Sequence, residues 1–185
     1  AVDLYELKAQ NLKAIDDNSI DIVLCHWALT LMNPITPVLN EVNRVLSSGG
    51  KFAALVDGPM KAAPKYSDVH NLIYRFVQAK IPKYGEIDLG DPRIRSTDRS
   101  KNLLHEAFTD AKVNIETSVV SMEGPVTEVA ETAAGFFYAS FILPPETRSI
   151  MLSELSNLLA ISKQSEDLER QGRFSMPINR LVVTK

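Results

Sequence analysis

Three residues with chemically versatile side chains, Cys25, His26 and Trp27, directly follow the apolar run Ile20–Leu24. Such a run is typical of a strand buried in a parallel sheet, and ligands of open α/β sheets bind at the edge where these strands end. His26 could act there as a general base on a hydroxyl group, because an unperturbed imidazole has a pKa of about 6.5. Cys25 is better explained as a small buried apolar residue than as a nucleophile. The alternative is that His26 only caps the strand and Trp27 fills the core.

Asp57 is a second candidate for polar chemistry, since it follows the apolar run Lys51–Val56. A carboxylate at this position could orient an amine or hydroxyl group of a substrate. It could equally cap the turn at Gly58-Pro59, and the residue types leave both alternatives open.

Aromatic and basic side chains follow in a segment with helical periodicity, Met60–Tyr84. Its candidates for contact with a substrate are Tyr66, His70, Tyr74 and Arg75. His70 and Tyr74 are four residues apart and therefore share a helix face. A second aromatic group consists of Phe136, Phe137, Tyr138 and Phe141, of which Phe137 is the candidate for lining an apolar substrate pocket. Helix packing and core filling remain the alternatives for both groups.

Periodicity predicts the elements that would position these residues. Val2–Leu7 alternates apolar and polar residues, which predicts a strand with one exposed face. A helix is predicted to begin at Thr36-Pro37, with Leu39, Val42 and Leu46 at helical spacing, and to end at Ser47–Gly50. Lys51–Val56 predicts the next strand. Further along, the patterns predict a loop at 85–98, helices at 101–111, 128–141 and 146–161, and strands at 113–120 and 174–183.

The stretch Asp17–Gly50 resembles the middle of class I S-adenosylmethionine-dependent methyltransferases. In that family an acidic turn precedes the fourth strand, as Asp16–Ser19 does here. In the family, a helix that ends in a sequence like RVLKPGG precedes the fifth strand. Arg44–Gly50 occupies the corresponding position in this chain. The resemblance implies an α/β fold with the strand order 3-2-1-4-5-7-6 and an antiparallel strand seven. It further implies a single domain, 1–185, with an incomplete Rossmann-like sheet of the third to seventh strands, flanking helices, and a helical cap at 126–171 over the substrate.

The resemblance also implies S-adenosylmethionine as the cofactor. It places Ala9, Gln10 and Asn11 in the loop that meets the adenine ring. The acid that the family often carries in this loop is replaced by Lys8, which cannot accept a hydrogen bond. Adenine would then be recognised through Gln10, Asn11 or backbone groups, or the cofactor would bind poorly. An ordinary exposed loop is the alternative.

Cys25, His26 and Trp27 are assigned by the same resemblance to the edge of the sheet where the cofactor lies. Methyl transfer from a sulfonium is an in-line displacement in which the protein chiefly positions the two partners. No general base is therefore obligatory, and His26 is only a weak catalytic candidate.

The family's glycine-rich loop after the first strand has no counterpart in this sequence. Such a loop needs glycine for a tight turn and for close approach of the backbone to the ligand. None of the eight glycines precedes Gly49, and no acid is a candidate for binding the ribose hydroxyls. We therefore expect the C-terminal portion of a methyltransferase, truncated upstream of the cofactor loop and inactive by itself. The alternatives are a non-catalytic methyltransferase-like interaction module, which Lys8 favours, and one half of a split enzyme.

Absence of the first and second strands would separate Val2–Leu7 from Ile20–Leu24 by roughly 15 Å, at about 4.8 Å per strand. Such a gap cannot persist, because unpaired backbone groups would face a void. Val2–Leu7 could pair directly with Ile20–Leu24, leave the sheet, or pair with another molecule. The exposed edge of the fourth strand favours the last outcome and predicts a homodimer.

Composition restricts the kind of protein further. The chain has 185 residues, of which 45% are hydrophobic and 23% charged, with a net charge of −3. These are the values of an ordinary soluble domain. They show no excess of basic residues that would favour binding to nucleic acid. No apolar run approaches the about 20 residues that span a bilayer. The single cysteine fits a reducing, cytoplasmic compartment. His26, His70, His105 and Cys25 have no metal-ligand spacing, so no metal is expected. The expected partner is a small-molecule methyl acceptor.

Overall fold

Strands and helices alternate along the chain in the manner of an α/β fold. A computed structural model describes residues 2–86, 90–161 and 170–185. Its strands are β1 (Ile20–His26), β2 (Leu46–Asp57), β3 (Lys112–Pro125) and β4 (Gln171–Thr184). Its α-helices are α1 (Thr36–Val45), α2 (Tyr66–Lys80), α3 (Thr97–Ala107), α4 (Val126–Gly135) and α5 (Pro145–Leu159). Short 3-10 helices occupy Leu29–Leu31, Met60–Ala62, Pro82–Glu86, Pro92–Arg95 and Tyr138–Ile142. Within the described ranges, no helix combines the length and the apolar character required to cross a membrane.

The chain divides into two compact units. The first consists of Ala1–Pro59, Asp88–Ser118 and Ile178–Lys185, and the second consists of Met60–Ile87 and Val119–Pro177. Strands β3 and β4 contribute residues to both units.

The four strands form one sheet in the order β1-β2-β4-β3. β1 is parallel to β2, with Val23 opposite Phe52, and β2 is antiparallel to β4, with Phe52 opposite Val183. Parallel neighbouring strands require a crossover connection, which is typically right-handed, and α1 lies in the connection between β1 and β2. This order and the antiparallel final strand are those that the resemblance implied for the fourth, fifth, seventh and sixth strands. The α/β fold class is therefore confirmed.

The core of the first unit lies on one face of this sheet, under α1 and α3. Alternate residues of β2 and β4 enter it, as the period of two in a strand requires. Its buried members include Leu39, Phe52, Leu104, Phe108, Leu181 and Val183. The rings of Phe52 and Phe108 stack with centroids 6.1 Å apart. This packing fixes the register of β1 and β2, and therefore the place where both strands end.

Asn179 on β4 is a fully buried polar side chain beside this core. Its Oδ1 accepts a hydrogen bond of 2.7 Å from the Thr117 hydroxyl, and its Nδ2 donates one of 3.3 Å to Thr97 Oγ1. The amide thus has a partner on each side, as buried polar groups require.

The strand predicted at Val2–Leu7 is wrong. These residues belong to no strand of the structure, and their apolar side chains are exposed. The sheet consequently has four strands in the described residues instead of the five expected, the third strand being absent. Alternation gives a segment strand propensity, but a strand forms only where a neighbour pairs its N–H and C=O groups. In this structure the segment therefore lies outside the sheet.

The helix predicted to stop at Ser47–Gly50 ends within two residues of that place, but the strand predicted to begin at Lys51 already begins at Leu46. Helix α1 ends at Val45, and these four residues already belong to β2. Ile20 pairs with Leu46 whereas Ile22 pairs with Lys51, so the extra residues form an irregularity of the β1–β2 ladder. Gly49 adopts a φ of +77°, which favours glycine, and its N–H donates to the Lys185 carbonyl. The glycines therefore permit a bulge instead of ending a helix.

The remaining boundaries differ by a few residues from the predictions. Helix α3 begins at Thr97 and ends at Ala107, about one turn before the predicted 101–111. The predicted loop 85–98 contains the short helix Pro92–Arg95, which Asp91 caps by accepting from the Arg93 backbone N–H. The predicted helix 128–141 ends at Gly135 and is followed by the separate turn Tyr138–Ile142.

The second unit is largely helical and contains α2, α4 and α5. Its buried residues include Val69, Ile73, Val129, Met151 and Leu155. The predicted cap, 126–171, includes α4 and α5, while its residues 162–169 lie outside the described residues. A role of these helices in covering a substrate remains a prediction.

Arg44, near the end of α1, holds the loop that precedes β1. Its guanidinium donates to the carbonyls of Leu12 and Ile15 and to the carboxylates of Asp17 and Glu41. Glu41 Oε2 also accepts from the Leu12 backbone N–H at 2.6 Å. The hydrogen bond from Arg44, followed by that from Leu12, lowers the pKa of Glu41 from 4.5 to about 2.

Replacement of Glu41 should therefore change the pH dependence of stability. A depressed folded-state pKa means that the carboxylate stabilises the fold above its unfolded pKa, near 4.5, and that this contribution is lost as the pH falls towards 2. Glu41→Gln should lower the denaturant midpoint at neutral pH, and the difference from wild type should vanish near pH 2. Urea titrations at several pH values test this. The control is Glu116→Gln in the exposed Glu116–Arg180 pair, where the change should be small. A Glu41→Gln difference that stays constant down to pH 2 would contradict the argument.

Candidate functional site

The carboxyl ends of β1 and β2 bring two of the predicted site residues together. Because these strands are parallel, Trp27 after β1 and Asp57 at the end of β2 lie at the same edge of the sheet. The indole Nε1 donates a hydrogen bond of 3.2 Å to Asp57 Oδ1, and the Trp27 backbone N–H donates to the Leu55 carbonyl. Asp57 therefore has a partner across the edge, which the sequence did not reveal.

The three residues at the end of β1 differ in exposure. Cys25 is half-buried and packs against the core; burial raises the pKa of its thiol, which disfavours the nucleophilic thiolate. His26 is exposed, and its ring meets the edge of the Trp27 ring with centroids 5.0 Å apart. Trp27 is half-buried and adopts a φ of +57°. A left-handed conformation is uncommon for a large residue and is found where surrounding contacts impose it.

A second segment, 90–95, supports the turn that follows Trp27. The Thr30 hydroxyl donates to the Trp27 carbonyl at 2.9 Å, and the Thr30 carbonyl accepts from the Arg95 guanidinium at 3.3 Å. The Asp91 backbone N–H donates to the Met32 carbonyl at 3.0 Å. The sequence did not reveal this support, because 85–98 was predicted to be a loop and none of its residues was selected for the site.

Gly90 is the point of closest approach between these two segments. It has a φ of +87°, and a Cβ atom added to it would lie 2.2 Å from the Thr30 carbonyl oxygen. Only glycine fits both the conformation and the space. The signal in the sequence was the Gly90-Asp91-Pro92 triplet, which is rich in turn-forming residues.

The predicted adenine loop forms a turn. The Asn11 N–H donates to the Lys8 carbonyl at 2.8 Å, and the next residue, Leu12, is held by Glu41. Ala9 and Gln10 are half-buried, and Ala9 packs against the core of the first unit, while Lys8 and Asn11 are exposed. Glu41 on α1 thus holds the backbone directly after this turn.

Four of the predicted substrate residues lie together in the second unit: Tyr66, His70, Tyr74 and Phe137. We refer to these four residues and Tyr84 as the aromatic group. The rings of His70 and Tyr74 stack at 4.2 Å, and His70 meets Phe137 edge-on at 6.0 Å. Tyr66 lies 5.8 Å from Phe137. Tyr66 and Phe137 are buried, whereas His70 and Tyr74 are half-buried. The arrangement unites residues far apart in the chain, which the sequence alone could only suggest.

Tyr84 is a member of this group that sequence reasoning did not select. Its ring lies 5.7 Å from that of Tyr74. Burial, followed by the neighbouring Tyr74 hydroxyl, raises the pKa of Tyr84 to about 12. The phenol therefore remains protonated and can act as a hydrogen-bond donor throughout the neutral range.

Comparison with known proteins identifies the type of fold. Residues 1–54 match the family model described as a methyltransferase domain. Among solved structures, a candidate methyltransferase from Bacillus halodurans C-125 is similar, with a TM-score of 0.56 and 13% sequence identity over 100% of this chain and 78% of that chain. The resemblance to methyltransferases is confirmed. At such identity the structural similarity establishes the methyltransferase-like fold alone.

Two further structures share the methyltransferase-like fold. The YcgJ protein from Bacillus subtilis has a TM-score of 0.52 and 13% identity, over 96% of this chain and 68% of that chain. A candidate methyltransferase from an antibiotic biosynthesis pathway of Anabaena variabilis has a TM-score of 0.52 and 14% identity, over 95% of this chain and 71% of that chain. No curated protein matches the sequence.

The residues of this chain do not, by themselves, fit the cofactor that the methyltransferase family implies. No glycine precedes Gly49, so no loop before β1 can bring its backbone as close to a ligand as a glycine-rich loop does. By the resemblance, Lys8, which can only donate a hydrogen bond, stands where the family often carries an adenine-binding carboxylate. The edge formed by Cys25, His26 and Trp27 would supply only part of a cofactor site.

Proposed function

We propose that this chain is part of an S-adenosylmethionine-dependent methyltransferase that acts on a small molecule. The observation that carries the proposal is the edge at which Trp27 and Asp57 meet. Ligands of open α/β sheets bind at the carboxyl ends of the strands, and the Trp27–Asp57 hydrogen bond gives that edge a defined geometry. We further propose a cytoplasmic location, supported by the single cysteine.

On the cofactor side, we assign Cys25, His26 and Trp27 as contact residues, together with the turn Ala9–Asn11. His26 is exposed at the edge and has two ring nitrogens for hydrogen bonding. The glycine-rich part of the site would have to come from residues other than these 185. The chain by itself should therefore be inactive.

As candidate substrate contacts we propose Asp57 in the first unit and, separately, the aromatic group in the second unit. Asp57 can accept from an amine or hydroxyl of the acceptor, since Trp27 occupies only one of its oxygens in the structure. The half-buried rings of His70 and Tyr74 offer apolar area for a small metabolite. Positioning the acceptor is the main task of such residues, because the sulfonium supplies the driving force.

Calorimetric titration with S-adenosylhomocysteine tests the proposal in this chain and in the intact gene product. The intact product should bind, and the chain should give no saturable heat. In the intact product, His26→Ala should weaken binding by about two- to tenfold, the range expected for one lost hydrogen bond. His105→Ala is the matched control, since His105 is also exposed but lies on α3, and it should bind as wild type.

A non-catalytic interaction module, or one half of a split enzyme, is the second candidate function. Lys8 favours the first of these, because it removes a cofactor contact. If neither protein binds S-adenosylhomocysteine, the methyltransferase proposal fails and the interaction module takes its place. If the chain binds only when a separate polypeptide is added, the split enzyme is the correct description.

A further inference from the structure

Asp57 places a negative charge at the edge where β1 and β2 end. It is half-buried, closes β2 and lies in the first unit together with Trp27, whose indole Nε1 donates a hydrogen bond of 3.2 Å to Oδ1. An indole N–H is an uncharged donor, so this hydrogen bond orients the carboxylate without neutralising it. Among the residues that the structure describes, no lysine or arginine forms an ion pair with Asp57. The described part of this edge therefore carries an oriented anion.

The contacts of Asp57 do not fit a purely structural role as a cap of the turn at Gly58-Pro59. Pro59 has no N–H to donate. Within residues 2–86, 90–161 and 170–185, the Asp57 side chain accepts from Trp27, 30 residues away along the chain, and from no N–H of its own turn. The carboxylate thus bridges the ends of the two strands, with Oδ2 left to accept from a ligand.

The sign of this charge distinguishes between the two acceptor groups that Asp57 could bind, an amine and a hydroxyl. An aliphatic amine is cationic at neutral pH and is cationic again once it carries a further methyl group, and a carboxylate binds both forms through charge-assisted hydrogen bonds. To expose its lone pair, the amine gives one proton to water and becomes neutral. A hydroxyl group that gives up its proton becomes an anion, which a neighbouring carboxylate disfavours. Asp57 therefore favours an amine.

We infer that Asp57 selects a cationic amine as the methyl acceptor, with an ammonium N–H donating to Oδ2 while the indole of Trp27 holds Oδ1. Asp57 is then the residue that determines specificity, and Trp27 is the residue that positions it. The inference rests on the proposed methyltransferase function and specifies the substrate class of that site.

Collisional quenching of Trp27 fluorescence tests the charge at this edge in the 185-residue chain, because Trp27 is its only tryptophan. The carboxylate should concentrate cesium ions and repel iodide ions beside the indole. In Asp57→Asn the ratio of the cesium to the iodide quenching constant should therefore fall by about two- to fivefold. Asparagine keeps an oxygen that can accept from the indole, so the variant should retain the wild-type circular dichroism.

Asp110→Asn is the matched control for the quenching experiment. It removes the same charge from an exposed acid of the same unit, and its quenching ratio should equal that of wild type. An unchanged ratio in a folded Asp57→Asn protein would overturn the inference, whatever the enzymatic activity of the intact gene product.

Methyl transfer by the intact gene product tests the substrate class. Its probes are two matched pairs, 2-phenylethylamine with 2-phenylethanol and n-butylamine with n-butanol, and the readout is the release of S-adenosylhomocysteine from S-adenosylmethionine. The amines should accelerate the release and the alcohols should not. Asp57→Asn should lower kcat/KM for the amines by about ten- to hundredfold, the range for a lost hydrogen bond to a charged group, whereas Asp110→Asn should not.

The outcomes separate this inference from the proposed function. A gene product that fails to bind S-adenosylhomocysteine in the calorimeter overturns both. If it binds, but the alcohols accelerate the release as much as the amines do, or neither amine accelerates it, the inference alone is overturned and the methyltransferase proposal stands.

Discussion

Gly90→Ala is expected to lower the free energy of unfolding by about 2–5 kcal/mol. A left-handed conformation costs a non-glycine residue about 1–2 kcal/mol, and forcing extra volume into a packed site costs about 1–3 kcal/mol. Both apply here, because Gly90 has a φ of +87° and its added Cβ would lie 2.2 Å from the Thr30 carbonyl oxygen. Backbone on both sides means that no flexible side chain can move to make room.

Urea unfolding followed by tryptophan fluorescence measures this effect, since Trp27 is the only tryptophan and the Thr30 hydroxyl bonds to its carbonyl. The control is Gly135→Ala, at the end of α4, where an added Cβ meets nothing within 4 Å. Alanine favours helix more than glycine does, so the control should be neutral or slightly stabilising. Wild-type stability of Gly90→Ala would mean that segment 90–95 does not support the turn after Trp27.

Leu39→Ala is expected to destabilise the chain by about 2–5 kcal/mol. Leu39 lies on the buried face of α1 and is a member of the core between that helix and the sheet. Truncation of a fully buried leucine removes its transfer free energy and leaves a cavity that the neighbours only partly fill. The loss should be seen as a lower urea midpoint.

Leu31→Ala provides a control with the same chemical change in the same unit. Leu31 is exposed in the short helix Leu29–Leu31, and substitution at such a site should change the free energy of unfolding by about 0.5 kcal/mol or less. Equal effects of the two substitutions would contradict the placement of α1 over the sheet.

The parts of the fold that were predictable from the sequence are those in which one local signal agrees with packing. The run Ile20–Leu24 and the helix beginning at Thr36 had strong periodicity, and both elements lie where they were predicted. The predicted burial of the strand is wrong, however, because Ile22 and Leu24 are exposed. Val2–Leu7 had equally clear alternation, yet it forms no strand, because strand formation depends on a partner that its own sequence cannot reveal. Ser47–Gly50 was misread for a related reason. Glycines suit a helix end and a bulge alike, and the pairing of β1 with β2 decides between them.

In the candidate site, too, local sequence patterns predicted some features, whereas others depend on tertiary packing. Trp27 and Asp57 were selected separately from the ends of two predicted strands, but their hydrogen bond depends on strand register, which no local pattern encodes. The support from Gly90 and Arg95 was not predicted, since loops carry little periodicity. Tyr84 was missed because its proximity to Tyr74 arises from tertiary packing.

The buried amide of Asn179 has a consequence for how β4 aligns. A slip of one residue would move Asn179, Leu181 and Val183 to the opposite face of the sheet and bring Arg180 towards the core. It would also leave the hydroxyls of Thr97 and Thr117 without the amide that satisfies them. Apolar residues tolerate many neighbours, whereas an amide requires a donor on one side and an acceptor on the other. Asn179 therefore penalises misaligned states of β4, because its amide would lose both hydrogen-bond partners in them.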